Sequence, residues 1–306
     1  MHESEIISIF LKYLGRSGDL PLGDDAGAVR FGDEWLVVTN DMLVRETDVP
    51  DVMTPEQVGF KAVTMNVSDV AAMGARPLGF LFSIGLPKGI EVDYLDGIAR
   101  GLGRGLEFYG VPVLSADTNE AADLIIDGIA LGTTNRLLTR SNVKPGDLVC
   151  VTGDIGRSLS GLLVWKEKLN VSPRTRKVLY QKFLEPTARV REGMVLKDVA
   201  NAAIDISDGL SKELNILSKM SGVRIDVHSG ALPIYEEVFE VAEALGRDPV
   251  ELAISSGEEF ELLFTIPPDR KDDVGFEFNV IGKAGAGRGV YLDGTPMPAR
   301  GWNHTV

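Results

Sequence analysis

Asp205-Ile206-Ser207-Asp208-Gly209 follows the apolar run Ala202-Ala203-Ile204 and precedes a helical pattern of Leu210, Leu214 and Leu217. That order predicts a short buried strand, a tight turn served by Gly209, and then a helix. Asp205 and Asp208 stand at the strand end, with Ser207 between them and the amides of a helix N-terminus close behind. Carboxylates so placed can hold a cation, and the backbone N–H groups can hold a phosphate. A plainer reading is that Asp208 or Ser207 only caps the helix. Further acidic turns in the first half of the chain favour the former: Asp24/Asp25, Asp41, Asp69 and Asp117 each lie beside a small or hydroxyl-bearing residue, most of them at a predicted strand end.

Working outward, the N-terminal half begins with an amphipathic helix over Glu5 to Leu14 stopped by Gly15. A strand through 28–31, a turn at Gly32-Asp33 and a strand through 35–39 ending at Asn40-Asp41 form a hairpin. Thr54-Pro55-Glu56-Gln57 combines a cap, Pro at the first helical position and Gln three residues on, so a helix runs from Pro55 to about Met73. A strand over 80–86, a glycine-bearing helix over 92–109, a strand over 111–114 leading into Ser115-Ala116-Asp117-Thr118, and a strand over 124–131 follow. The glycines of the second helix predict close packing on a sheet. Thr134 to Asp147 is polar and closes on the turn sequence Lys144-Pro145-Gly146-Asp147, so the chain is divided into domains 1–137 and 138–306. Beyond it, strands at 148–152, 223–227, 260–266, 276–281 and 289–293 alternate with helices near 156–169, 173–183, 187–200, 210–221 and 234–244. The fold class is α/β (α+β) in two domains.

With 306 residues, 44% of them hydrophobic and 25% charged, the chain has core enough for two domains. The net charge of −14 with scattered Lys and Arg excludes nucleic acid and anionic membrane surfaces as expected partners. No apolar run long enough to span a membrane and no basic N-terminal leader are present, so a cytoplasmic protein is expected. Cys150, the single cysteine, sits in Leu148-Val149-Cys150-Val151 and reads as a buried strand residue; no cysteine or histidine metal cage is available.

Mg²⁺ takes oxygen ligands, keeps several waters and is usually held by one or two carboxylates plus substrate phosphates, which suits dispersed Asp residues converging on a cleft. The glycine-rich phosphate loops and kinase signatures are absent. Arg140 and Lys144 are the basic candidates for phosphate contact, against a default of solvated loop charges. Gly257-Glu258-Glu259-Phe260-Glu261 enters an apolar strand and offers either a carboxylate for a cationic substrate or a charged strand end.

The ordered set Gly23-Asp24-Asp25-Ala26, Thr39-Asn40-Asp41, Asn66-Val67-Ser68-Asp69-Val70-Ala71-Ala72-Met73-Gly74-Ala75, Asp205-Ile206-Ser207-Asp208-Gly209 and Gly257-Glu258-Glu259-Phe260-Glu261-Leu262-Leu263-Phe264 resembles the thiamine-monophosphate kinase family, of the aminoimidazole ribonucleotide synthetase superfamily. The resemblance spans Gly23 to Trp302. It implies a phosphotransferase that moves the ATP γ-phosphoryl group to thiamine monophosphate, and an N-terminal domain that pairs across a homodimer into a β-barrel, with ATP in the cleft between domains. It further implies Asp25, Thr39, Asn40, Asp41, Asp69, Asp117, Asp205 and Asp208 as ligands of several Mg²⁺ ions, and Thr39, Arg140 and Ser207 as ATP contacts. Asp48, Glu258 and Trp302 are implied on the acceptor side, Asp48 standing where the family often has His. A carboxylate and an aromatic face suit the cationic thiazolium ring. No dedicated general base is expected, because a phosphate acceptor is already deprotonated. The rival expectations are a sister ATP-dependent enzyme of the superfamily and a nucleotide-binding module without turnover.

Overall fold

The computed structural model describes residues 3–14, 18–20 and 22–302. The expected helix stop at Gly15 lies outside them. In the first half, α1 (Glu3–Leu11) is followed by β1 (Gly27–Phe31), β2 (Glu34–Val44), the one-turn α2 (Arg45–Asp48), α3 (Pro55–Ala72), β3 (Arg76–Leu86), α4 (Val92–Tyr109), β4 (Val113–Glu120) and β5 (Ile125–Thr134). These strands form one sheet in the order β1-β2-β5-β3-β4. It is antiparallel except for the β3–β4 pair, which α4 joins by a crossover.

Helix α3 organises this half. Thr54 Oγ1 accepts from the Gln57 amide at 3.3 Å while Gln57 Oε1 accepts from the Thr54 amide at 2.9 Å, the reciprocal cap predicted from the sequence. Past the cap the helix has no exposed residue from Val58 to Ala72, and Val58, Val63, Val67 and Val70 are all fully buried. The α4 glycines pack on this helix, not on a sheet as expected: a Cβ at Gly101 would lie 1.9 Å from the Glu56 carbonyl oxygen, and one at Gly59 2.2 Å from that of Ile98.

The second half runs β6 (Leu148–Thr152), α5 (Arg157–Lys166), α6 (Pro173–Leu184), α7 (Val190–Val199), β7 (Ala202–Asp205), α8 (Leu210–Ser221), β8 (Arg224–Val227), α9 (Glu236–Leu245), α10 (Pro249–Ile254), β9 (Leu262–Ile266), β10 (Phe278–Gly285), β11 (Gly289–Leu292) and β12 (Thr295–Pro296). Its sheet has the order β12-β11-β8-β10-β6-β9-β7. The strand, turn and helix read around Asp205 are present: β7 is wholly buried, Gly209 adopts φ +128°, and α8 begins at Leu210. Cys150 is buried, and that burial pushes its thiol up to about 12.

Two strands run further than their composition indicates. β2 does not end at Asn40-Asp41 but continues to Val44, paired residue for residue with β5. β4 continues through Ser115-Ala116-Asp117-Thr118 to Glu120, held by parallel pairing with β3 in which Asp117 faces Ser83. Asp41 and Asp117 are therefore strand residues, and the face each occupies is fixed by alternation.

Candidate active site

One turn of α3 ties three parts of the molecule together. Asn66 Oδ1 accepts from the Asp41 amide at 2.9 Å, while its Nδ2 donates to the Ala62 carbonyl at 3.1 Å. Ser68 Oγ donates to Asp205 Oδ2 at 2.6 Å. The Thr39 hydroxyl donates to Asp69. The helix thus holds β2 on one side and the end of β7 on the other.

Asp25 reaches the same place from the turn before β1. Arg140 secures it: the guanidinium pairs with Asp25 Oδ1 at 2.5 Å and donates to the Gly23 carbonyl at 3.2 Å, and the Arg140 amide donates to Asp24 Oδ1 at 3.0 Å. One oxygen from each of Asp25, Asp69 and Asp205 then lies within 4.8 Å of the others. Like charges about 4 Å apart repel by roughly 4 kcal/mol at an effective dielectric near 20. Burial, and then the charges of Asp41 and Asp205, push Asp69 well above the ordinary carboxylate range. Burial, and then Asp25, do the same to Asp205. Asp24 rises to about 6 through burial and the neighbouring Asp25. Asp25 Oδ2 and Asp205 Oδ1 are buried with no hydrogen-bond partner among the described residues. A hard polyvalent cation is what this donor set fits: it takes oxygen ligands and removes the repulsion.

Beside the cluster, Leu22 to Gly27 and Val38 to Asn40 line a pocket of about 130 Å³. Thr39 and Asp41 lie on the helix-covered face of the sheet, whereas Asn40 lies on the opposite, exposed face. Asp117 shares that outer face, through the row Met42, Asp127, Ser83, Asp117, on the fully exposed β4. Three strand spacings, about 14 Å, separate β4 from β2. Within one chain Asp117 is therefore not brought to the cluster it was expected to join. Asp208 also stands apart, paired with Lys212 while its carbonyl accepts from the Trp302 amide at 3.0 Å. Ser207 is half-buried, and its carbonyl accepts from the Glu258 amide at 2.6 Å.

On the acceptor side, the Asp48 carboxylate accepts from the Val44 amide at 2.7 Å, so it is engaged in its own short helix. Glu258 stands at φ +54° in the turn before β9. Its Oε1 lies 2.5 Å from the ammonium of Lys61. Trp302 is 52% exposed and docks through its backbone on the Asp208 turn. The Asn303 and His304 part of that motif lies outside the described residues.

Two charged residues near the site were not singled out from the sequence. Glu213, on α8, is buried, and burial with the charge of Asp208 pushes it up to about 8. Lys61 is only 1% exposed in the middle of α3. A lysine inside a run as apolar as Val58-Gly59-Phe60-Lys61-Ala62-Val63 carried the signal that could have found it.

Residues 23–134 match the family model for the N-terminal domain of AIR synthase related protein, and residues 144–294 that for its C-terminal domain. Thiamine-monophosphate kinase of Pyrococcus horikoshii is 50% identical, the match covering 99% of this chain and 96% of that protein. The thiamine-monophosphate kinase of Aquifex aeolicus is 36% identical over 92% of each. The solved structure of AaThiL complexed with AMPPCP and TMP superposes with a TM-score of 0.92 at 33% identity, covering 99% of this chain and 97% of that one. The hydrogenase maturation protein HypE shares the fold at a TM-score of 0.72 and 21% identity, over 97% of this chain and 95% of that one.

Proposed function

The chain belongs to the thiamine-monophosphate kinase family, and from that premise we propose that the Asp25, Asp69 and Asp205 cluster is where it handles the phosphates of its substrates. The reaction is ATP-dependent phosphorylation of thiamine monophosphate, giving thiamine diphosphate and ADP. The observation that carries the reading is the trio of carboxylates within 4.8 Å, two of them with buried oxygens that nothing among the described residues satisfies.

Asp25, Asp69 and Asp205 would hold Mg²⁺, with Thr39 and Asp41 beside them on the same face of β2; Asn40, on the outer face, and Asp208, paired with Lys212, would meet further ions only at the margin of the cleft. Bound there, Mg²⁺ would supply charge neutralisation for two anionic substrates and for the transition state. The chain's own residues do the positioning. Arg140 fixes Asp25 and presents a buried positive charge beside the phosphates, while Ser207 sits at the turn below them. Glu258 and the exposed Trp302 ring face the cationic acceptor, and Asp48 closes that side through its short helix. Thr39 orients Asp69 by donating to it. Holding acceptor and donor in line is the larger part of catalysis when no proton need be removed from the acceptor.

Asp117 enters this scheme only if a second subunit supplies what a single chain leaves separate. The outer face of the five-stranded sheet supports a homodimer: Val29, Phe31, Val38, Met42, Val113 and Leu114 are all exposed there or on its free edge. Residues 1–137 would form the dimerising half and 138–306 the half that completes the cleft. No helix among the described residues is long and apolar enough to cross a membrane. The cytoplasm, where ATP is at hand, is the compartment this reading assigns.

The test is formation of thiamine diphosphate from ATP and thiamine monophosphate with and without Mg²⁺. Metal-dependent product is expected. Mg²⁺-ATP binding without product would keep the cluster and remove the acceptor.

A further inference from the structure

Lys61 joins the two halves of the acceptor side. It stands on α3, eight residues before Asp69 and one turn before Met65. It donates to the Asp48 carbonyl at 3.1 Å and lies 2.5 Å from Glu258 Oε1. Asp48 belongs to α2 of the first half and Glu258 to the turn before β9 of the second. A single buried cation thus pins together two segments that are distant in the chain.

The other end of Glu258 is equally constrained. Its amide donates to the Ser207 carbonyl at 2.6 Å, its φ is +54°, and a Cβ at the preceding Gly257 would lie 2.8 Å from that same carbonyl oxygen. Backbone and Oε1 are both fixed. The Glu258 side chain is nonetheless 34% exposed, so its carboxylate reaches the surface. One oxygen is therefore anchored while the carboxylate keeps access to solvent.

We propose that Lys61 is a positioning residue for acceptor recognition: it locks Glu258 Oε1 so that Oε2 is aimed at the cation of the incoming substrate, and holds α2 against the same turn. This rests on the assignment of Glu258 to the acceptor side made above. Lys61 does not touch the reacting phosphates in this arrangement, so its effect falls on acceptor binding. The ion pair also leaves the site close to neutral before the acceptor arrives, which tempers attraction for small cations and leaves shape to discriminate.

The test measures KM for thiamine monophosphate, KM for ATP and kcat in Lys61→Met, Lys61→Arg, Glu258→Gln and the Lys61→Met/Glu258→Gln double variant. Lys61→Met is expected to raise KM for the acceptor by about tenfold or more, with KM for ATP and kcat changed less than about threefold, the pattern of lost uniform binding. Lys61→Arg restores part of the loss. In the double variant the two effects do not add, because Lys61 acts through Glu258. Equal damage to both KM values and to kcat would reduce Lys61 to a structural role and overturn the proposal, as would full additivity. If Lys61→Met fails to fold, Lys61→Arg decides, since a longer, planar side chain with the same charge must shift Glu258: a raised acceptor KM with kcat little changed supports the proposal, and an acceptor KM equal to that of the native protein overturns it. A wild-type protein that makes no thiamine diphosphate would sink the acceptor assignment itself, an outcome distinct from an unmoved acceptor KM in an active variant.

Discussion

Two buried groups of acidic residues, one at the junction of the two halves and one inside the second half, have opposite electrostatics. At the junction Arg140 pairs with Asp25 beside Asp69 and Asp205, and among the described residues two buried oxygens of the trio go without a donor. Inside the second half, Glu261 receives Lys182 Nζ at 2.5 Å, Arg189 Nε at 2.6 Å, Arg189 Nη2 at 2.8 Å and Thr152 Oγ1 at 2.7 Å. Burial alone would raise Glu261, but Lys182 and Arg189 outweigh it and hold the group below its ordinary value. A carboxylate saturated by the chain's own donors has a structural task. A set left short of positive charge has the electrostatics that a cation from outside would relieve.

The comparison is broken most forcefully at its structural side. Glu261→Gln leaves Lys182 buried without its counter-charge and is expected to cost about 3–5 kcal/mol, read as a shift in the denaturant midpoint. Next comes Asp205→Asn, which relieves repulsion and so leaves metal-free stability nearly unchanged. It is expected to lower kcat/KM by about 10²–10³-fold and to abolish the rise in Tm expected of the native protein on adding Mg²⁺-ATP. A large loss of metal-free stability in that variant would mean the junction cluster is structural after all.

A smaller, pH-dependent effect separates Glu261 from its neighbour Glu259. Burial pushes Glu259 up to about 7, against the pull of Lys182 and the Ser256 hydroxyl. A group raised in the folded state binds its proton more tightly there, so its contribution to stability is full below about 4.5 and is lost as pH rises through about 7. Glu261, lowered, behaves in the opposite sense, and its contribution is lost only as pH falls below its ordinary value. Glu259→Gln should therefore narrow the fall in Tm between pH 5 and pH 8, with no change in that interval from Glu261. An unaltered fall in the variant would assign the dependence to the junction acids. The smallest effect belongs to the solvent-facing pair Lys88 and Glu120, 3.1 Å apart, where Lys88→Ala should change stability by less than about 0.5 kcal/mol.

The strand, turn and helix around Asp205 were legible because apolar run, turn glycine and helical period all agree there. So was α3, through its cap. Asp117 was misread for a physical reason: Ser115-Ala116-Asp117-Thr118 has little strand preference, and only pairing with β3 keeps it extended, so the true strand and the face it presents depended on a partner distant in the chain. Arg140 was found as a candidate, but its pairing with Asp25 spans 115 positions and no local pattern encodes it. Glu213 was hidden by the opposite difficulty. A glutamate at the start of a helix is ordinary, and only packing shows that it is buried.

The Ser68–Asp205 hydrogen bond joins residues 137 positions apart. Closing a loop of that length is slow compared with forming either sheet's hairpins. During refolding, then, helix and sheet content is expected to return first, and the proposed capture of a divalent ion would return only when the halves dock. A metal-sensitive signal should lag the far-ultraviolet dichroism, and that lag times the last assembly step of the molecule.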